Sequence, residues 1–330
     1  PYNGPMPLPG RRETRRDQEV VMSHGAPITE LIRRRYSCRT YLATPIGPDR
    51  RQPLEEYLRL IAEGPMGSPL RFVLVAAREK DRSALRGLGT YGFIRGATGF
   101  VLGAVGSAEH DMEDFGYAGE QIVLLATGLG LGSCWLGGTF RRSRFAERLG
   151  LGPEEHMPCV LSLGIPADRR SLIDRLSHIG AGSARRLQWE RLFYDGSWER
   201  PLDEEAAGDY ATPLEMVRLA PSASNRQPWR VVRDGSCFHF YLRRSLPRAP
   251  GLAGVPFLGL ADLQRVDIGI AMCHFHLAAS ELGLTGAWTL QEPAFERPDA
   301  RLEYIVTWMD QSGVRGTLCL LYTSPSPRDS

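Results

Sequence analysis

Several short stretches of this chain concentrate residues that could bind or react. RRRYSCRTY, from Arg33 to Tyr41, spaces Arg35, Ser37 and Arg39 at alternate positions. A guanidinium pairs bidentately with phosphate, so the pattern suits an anionic ligand, although arginines at a helix end can equally be a solvated surface. APSASNRQPW, from Ala220 to Trp229, is rich in Pro, Ser and Asn, which favour turns. Gly128, Gly130 and Gly132 invite a dinucleotide-loop reading. They follow the helical run QIVLLATGL, however, whereas that fingerprint follows a strand and opens a helix, so these glycines are expected to end a helix. Cys273, His274 and His276 are too close together on a helix to share a metal, and no carboxylate completes the set, so no metal is expected. The six cysteines show no CxxC pair and read as reduced thiols.

The chain around these stretches has 330 residues, 42% hydrophobic and 24% charged, enough for a sizeable core. Net charge is +2 with acids and bases interspersed, which argues against a nucleic-acid partner. The single lysine, Lys80, against many arginines reflects composition more than a binding face. No apolar run reaches the roughly 18 residues of a membrane-spanning helix, and no signal-peptide core stands near residue 1; the expected compartment is the cytoplasm. Residues 1–21 lack periodicity, Met22 reads as a start, and CLLYTSPSPRD, from Cys319 to Asp329, looks like a translated sequencing adapter. The expected division is 1–21 outside the fold, 22–208 as a first half, 209–317 as a second half and 318–330 as artefact.

Those halves come from an internal match. DFGYAGEQIVLLATGLGLGSCW, from Asp114, aligns without gaps to DIGIAMCHFHLAASELGLTGAW, from Asp267. PLEEYLRLIAEGP, from Pro53, matches PLEMVRLAPSAS, from Pro213, and extended runs follow each: LRFVLVAA from Leu70 and WRVVRDG from Trp229. Each half reads as helix, Gly/Pro/Ser loop, strand and long apolar helix ending in a glycine turn. CVLSLGIP and YIVTWM supply a closing strand apiece. The fold class is α+β, central sheets flanked by helices, in tandem duplication. Thr29 is expected to cap a helix that continues through Glu30, Leu31 and Ile32. Trp135 and Trp288 match between the halves and are expected to be core.

RRRYSCRTY, GLGSCWLGG (Gly130 to Gly138) and APSASNRQPW together resemble the FMN-dependent nitroreductase superfamily over about residues 26–310. The most specific stretch matches the family's PSxxNxQPW pattern through Pro221, Ser222, Asn225, Gln227, Pro228 and Trp229. Ordinary members are homodimers with FMN at the subunit interface. This chain resembles the internally duplicated single-chain branch, which implies a monomer built as a pseudo-dimer. By that resemblance Arg35 and Arg186 hold the FMN phosphate, with Arg185 a weaker candidate. Ser37 would contact phosphate or ribityl, Tyr36 would lie nearby, and Arg39 would sit by N1 and O2. Leu136, Gly137 and Gly138 would bring backbone amides to N5 and O4, while Pro221, Ser222, Ala223, Ser224 and Asn225 reach the ring from the second half.

The halves are not equivalent. Opposite APSASN the first half has AEGPMGSP, without the Asn. Opposite RRYSCR the second has LFYDGSWER, without the Arg–Ser–Arg spacing. One flavin per chain is expected. The resemblance implies an oxidoreductase with NAD(P)H as donor and a nitroaromatic, quinone or similar small-molecule acceptor. FMN carries the chemistry, and no side chain is expected to be catalytic. The alternative is an FMN-binding protein with a decayed acceptor site, serving sensing or storage.

Overall fold

The computed structural model describes residues 26–78, 83–86, 88–138, 140–167, 185–245, 261–294 and 296–312. The expected flanks, 1–21 and 318–330, and the start at Met22 lie outside the described residues.

The match between Asp114 and Asp267 becomes two long helices that pack on each other. Asp111–Gly128 (α3, after α1 Ile28–Arg34 and α2 Pro48–Leu60) and Leu263–Glu281 (α6) are buried over most of their lengths. A helix apolar all round must be covered on every side. Here α3 packs on one sheet, α6 on another, and the two share the most extensive helix–helix packing among the described residues. Aligned glycines allow that approach. A Cβ on Gly116 would lie 2.1 Å from the Val266 carbonyl oxygen, and one on Gly269 would lie 1.9 Å from that of Glu113. At the far ends Gly130 (φ 71°) and Gly283 (φ 75°) both adopt the left-handed conformation that stops a helix, as expected.

The first sheet contains β1 (Leu70–Ala76), β2 (Gly99–Gly106), β3 (Gly132–Leu136), β4 (Glu155–His156) and β5 (Val160–Gly164). Its order is β1-β2-β5-β3, with β4 on the end of β2, and every pairing is antiparallel. Helix α4 (Arg142–Leu149) packs on β2. The second sheet holds β6 (Phe193–Asp195), β7 (Ser197–Pro201), β8 (Trp229–Asp234), β9 (Cys237–Arg243), β10 (Gly286–Thr289) and β11 (Leu302–Asp310). Its order is β10-β11-β9-β8-β6-β7, antiparallel except for β6 with β8. Helix α5 (Ala211–Leu219) packs on α6.

The expected α+β class is what the chain adopts, with wider sheets than the four strands read from the sequence. β6 and β7 join the second sheet, so that sheet draws on residues from both sides of position 208. The main core runs across both parts, with Phe115 and Ile122 in one cluster with Phe240 and Phe275. Thr29 is not a cap. Helix α1 starts at Ile28 without a side-chain cap of its own, and the Glu281 carboxylate at the end of α6 accepts the backbone N–H groups of Ile28 and Thr29. A carboxylate there satisfies two of the helix's open donors.

Candidate functional site

Four distant segments close around one cleft of about 230 Å³. After α1 the chain runs extended, and Ser37 bridges to Ser133 on β3, which sets Ser37 and Arg39 at the cleft wall. Gly137 and Gly138 follow the end of β3 and form its rim. Pro221, Ser222, Ala223 and Ser224 come from the turn between α5 and β8. Leu263, Val266 and Ile270 of α6, with Phe93 and Trp135, give apolar walls.

The turn is held in an unusual conformation. Ser224, Asn225 and Gln227 have φ of 53°, 53° and 50°, rarely occupied by residues other than glycine. Buried Gln227 pins it: its backbone N–H donates to Ser222 Oγ at 2.9 Å, and its side-chain amide donates to the Arg185 carbonyl at 3.1 Å and accepts from Leu187 N at 2.8 Å. The QPW part of the motif therefore ties residues 185–187 to the turn. Asn225 Nδ2 donates to the same Arg185 carbonyl at 2.9 Å, and its Oδ1 accepts from Arg186 at 2.6 Å.

Arg186, Arg35 and Asn225 do not line the cleft; Arg186 is held behind the turn by Asn225, and Arg35 stands by Glu120 behind Trp135. Arg186 also donates to the Leu219 carbonyl at 2.8 Å and pairs with no carboxylate among the described residues. Burial, and next the neighbouring Arg35, lower its pKa to about 10. Arg35 lies 3.7 Å from Glu120, a carboxylate on α3 with no exposure. Glu120 also accepts from Trp135 Nε1 at 2.8 Å and meets His274 Nε2 at 3.0 Å, whose Nδ1 meets the Met216 carbonyl at 2.9 Å. Glu120 thus joins Arg35 to Trp135 in the cleft wall, and no local motif marked it.

Asp267 was used above only to align the halves. Its buried carboxylate lines the cleft and accepts the Ala223 N–H at 2.9 and 3.1 Å. Burial raises its pKa well above the usual carboxylate range, which favours the acid form. Arg39 lies over the Phe93 ring at 5.0 Å, a cation–π contact.

The remaining expected residues fall as follows. Tyr36 is exposed beside the cleft and does not line it, while Leu136 turns its side chain into the smaller core with Phe140 and Phe145. Arg33 and Arg34 are exposed at the end of α1. Trp288 is core, but Trp135 is half-buried at the cleft, which corrects the expectation that both are core; its indole N–H is drawn there by Glu120. His276 meets Tyr117 Oη at 2.6 Å, and no group of three metal-ligating side chains occurs among the described residues.

The corresponding place beside α3 is much narrower. Positions aligned with Leu263, Val266 and Ile270 carry His110, Glu113 and Tyr117. Glu113 is buried 2.7 Å from Arg265, and Gly64 lies so near Asp114 that a Cβ would be 2.2 Å from its Cγ. Only about 50 Å³ remains beside Ala62–Pro65 and Tyr117. No helix among the described residues is long and apolar enough to cross a membrane.

The family model described as "Putative TM nitroreductase" matches residues 27–279. A solved structure described as a "putative nitroreductase" from Thermotoga maritima is similar at a TM-score of 0.53 and 20% identity, covering 86% of this chain and 94% of that one. A nitroreductase family protein from Clostridium difficile is 19% identical over 46% of this chain and 90% of its own, at a TM-score of 0.36. A "putative nitroreductase in complex with FMN" from Desulfovibrio desulfuricans is 24% identical over 46% of this chain and 95% of its own, at 0.35. No curated protein matches the sequence.

Proposed function

This chain belongs to the nitroreductase family whose model spans residues 27–279, and from that premise we propose that it is an FMN-dependent NAD(P)H oxidoreductase with one flavin per chain. The observation that carries the reading is the convergence of Ser37 and Arg39 with Pro221, Ser222, Ala223 and Ser224 on one cleft, with Arg186 bonded to Asn225 of the same turn. The residues fit the group. Half-buried Arg186 has no carboxylate partner among the described residues, and a partly desolvated charge is favoured when an anion joins it. Two of its five N–H donors are used by Asn225 and Leu219, which leaves donors for a phosphate. Trp135, Phe93, Val266 and Ile270 give a flat ring apolar walls.

Bound FMN would supply two-electron chemistry, taking hydride from NAD(P)H and passing it to a nitroaromatic, quinone or similar acceptor in turn. The protein's part is binding, orientation and charge. Arg35 and Arg186 would hold the phosphate, and Ser37 and the turn the ribityl chain. Arg39, braced on Phe93, would place a positive charge beside the ring, where the anionic reduced form gains most. Asp267 lines the cleft beside the turn, and burial pushes its carboxyl toward the acid form. Gly137 and Gly138 let main chain approach closely where a side chain would intrude.

The test is the spectrum and flavin content of the purified protein. Bound flavin should saturate near one per chain on a monomer, bleach with NADPH and recover with a quinone. A chain that binds FMN but oxidises no NAD(P)H would be a binding protein instead. A chain that retains no FMN would remove the proposal altogether.

A further inference from the structure

The face of the second sheet turned away from α6 carries a separate cleft of about 260 Å³. On β8 and β9, Trp229, Val231, Phe238, Phe240 and Leu242 point to the main core. The alternate positions, Arg230, Val232, Tyr241 and Arg243, point the other way. Arg230 lines this cleft with Arg191 and Arg243, beside the rings of Tyr194 and Trp198.

Arg230 is only 6% exposed, yet its partners are all neutral: the Gln227 carbonyl at 3.1 Å, the Trp229 carbonyl at 2.5 Å and the Tyr194 side chain. No carboxylate among the described residues pairs with it. Burial lowers its pKa to about 10, and the guanidinium groups of Arg243 and Arg191 push in the same direction, while Tyr194 opposes them. The two acids of the cleft do not answer this charge. Asp299 is engaged by Arg301 at 2.6 Å and Arg243 at 3.4 Å, and Glu190 is exposed. Trp198 adds a buried indole N–H that has no acceptor among the described residues. A buried cation without a counterion, flanked by two more and by an unused donor, is a site that an anion completes.

We propose that this cleft binds a phosphate group, at a site distinct from the candidate cofactor cleft. Three guanidinium groups on separate elements suit a tetrahedral dianion with several acceptor oxygens better than a planar carboxylate, which one fork satisfies. The group could arrive as free phosphate or as the phosphoryl end of a metabolite whose body lies along Tyr194 and Trp198.

The test uses the full chain saturated with FMN, titrated with inorganic phosphate at ionic strength held constant by sodium chloride. Melting temperature and phosphorus NMR line width are followed together. Wild type should give a saturable response. Arg230→Met should weaken it about tenfold or more, the loss of one charge-assisted contact. Arg191→Met, at an exposed position, should weaken it several-fold and serves if Arg230→Met does not fold. Arg59→Met, at an exposed position outside both clefts, should leave it unchanged. Tighter binding of phenyl phosphate than of phosphate would assign an organic phosphate, and equal binding the free ion; either supports the site. No saturable response in wild type would overturn the proposal. So would wild-type behaviour of both Arg230→Met and Arg191→Met, or loss of the response in Arg59→Met. A response to a polyglutamate peptide alone would overturn it in favour of a protein partner.

Discussion

Replacing Arg186 by methionine should change ligand affinity strongly and the unliganded fold little, because two effects of opposite sign meet at that residue. Without a ligand, the variant loses hydrogen bonds to Asn225 Oδ1 (2.6 Å) and the Leu219 carbonyl (2.8 Å). Bonds from a charged donor contribute roughly 1.5–3 kcal/mol each at most. The same change removes a half-buried charge whose pKa is already lowered to about 10 by desolvation and by Arg35, and it relieves that repulsion. Methionine keeps much of the aliphatic volume, so no large cavity is left. The terms offset to within about 1–2 kcal/mol, and the melting temperature without FMN should move by only a few degrees. With FMN present nothing compensates. Losing one charge-assisted phosphate contact costs roughly 1.5–3 kcal/mol, which is about a tenfold to hundredfold rise in Kd. Quenching of FMN fluorescence on titration measures that directly. The rise in melting temperature on adding FMN should shrink in step, since stabilisation follows the ratio of free ligand to Kd. Arg35→Met is the informative companion. It should weaken FMN similarly but also destabilise the unliganded protein, because Glu120 keeps its burial and loses a cation at 3.7 Å. FMN affinity within about threefold of wild type in Arg186→Met would refute the phosphate assignment.

Arg39→Ala should lower the flavin's reduction potential, and Asn225→Ala should loosen the same flavin; potentiometric titration of both variants checks this, and an unchanged potential in Arg39→Ala would remove its role. Gly269→Ala should destabilise the protein even though alanine is favoured in helices by about 1 kcal/mol. Its Cβ would fall 1.9 Å from the Glu113 carbonyl oxygen, and overpacking against backbone costs about 1–3 kcal/mol or more; a higher melting temperature would contradict the close helix contact. Asp114 accepts N–H groups from Met66 and Ser68 at 2.8 Å each, and burial raises its pKa from 3.8 to about 6. The native state therefore binds this proton more tightly than the unfolded chain. The stability it contributes is fully present below about pH 4 and is lost as pH rises through 6, by roughly 3 kcal/mol at most. Denaturant unfolding at pH 4 and pH 7 should show a smaller difference in Asp114→Asn than in wild type.

Local pattern in the sequence determined much of this protein. Apolar continuity marked α3 and α6, Gly130 and Gly283 marked their ends, and the runs from Leu70 and Trp229 marked strands, because helix period, strand extension and left-handed glycine are properties of neighbouring residues. The motif segments were legible for the same reason, since the turn chemistry of Pro221 to Asn225 and the arginine spacing after α1 are written in short stretches. The strands GFVLGAVG and CFHFYLR were not read, since a short run buried in a sheet carries little periodicity of its own. The tertiary structure decided whatever depends on burial and on partners far along the chain. Only the packing of α3 beside Arg35 and Trp135 makes Glu120 part of the site, and only the seating of α6 under the turn turns Asp267 into a cleft residue. Thr29 has the right type for a cap, but Glu281 occupies that place from the end of α6. Arg230 is one arginine among many in the sequence. It becomes a candidate ligand because the sheet buries its charge and brings no carboxylate to meet it, and whether a charge is desolvated and answered is fixed by the whole fold.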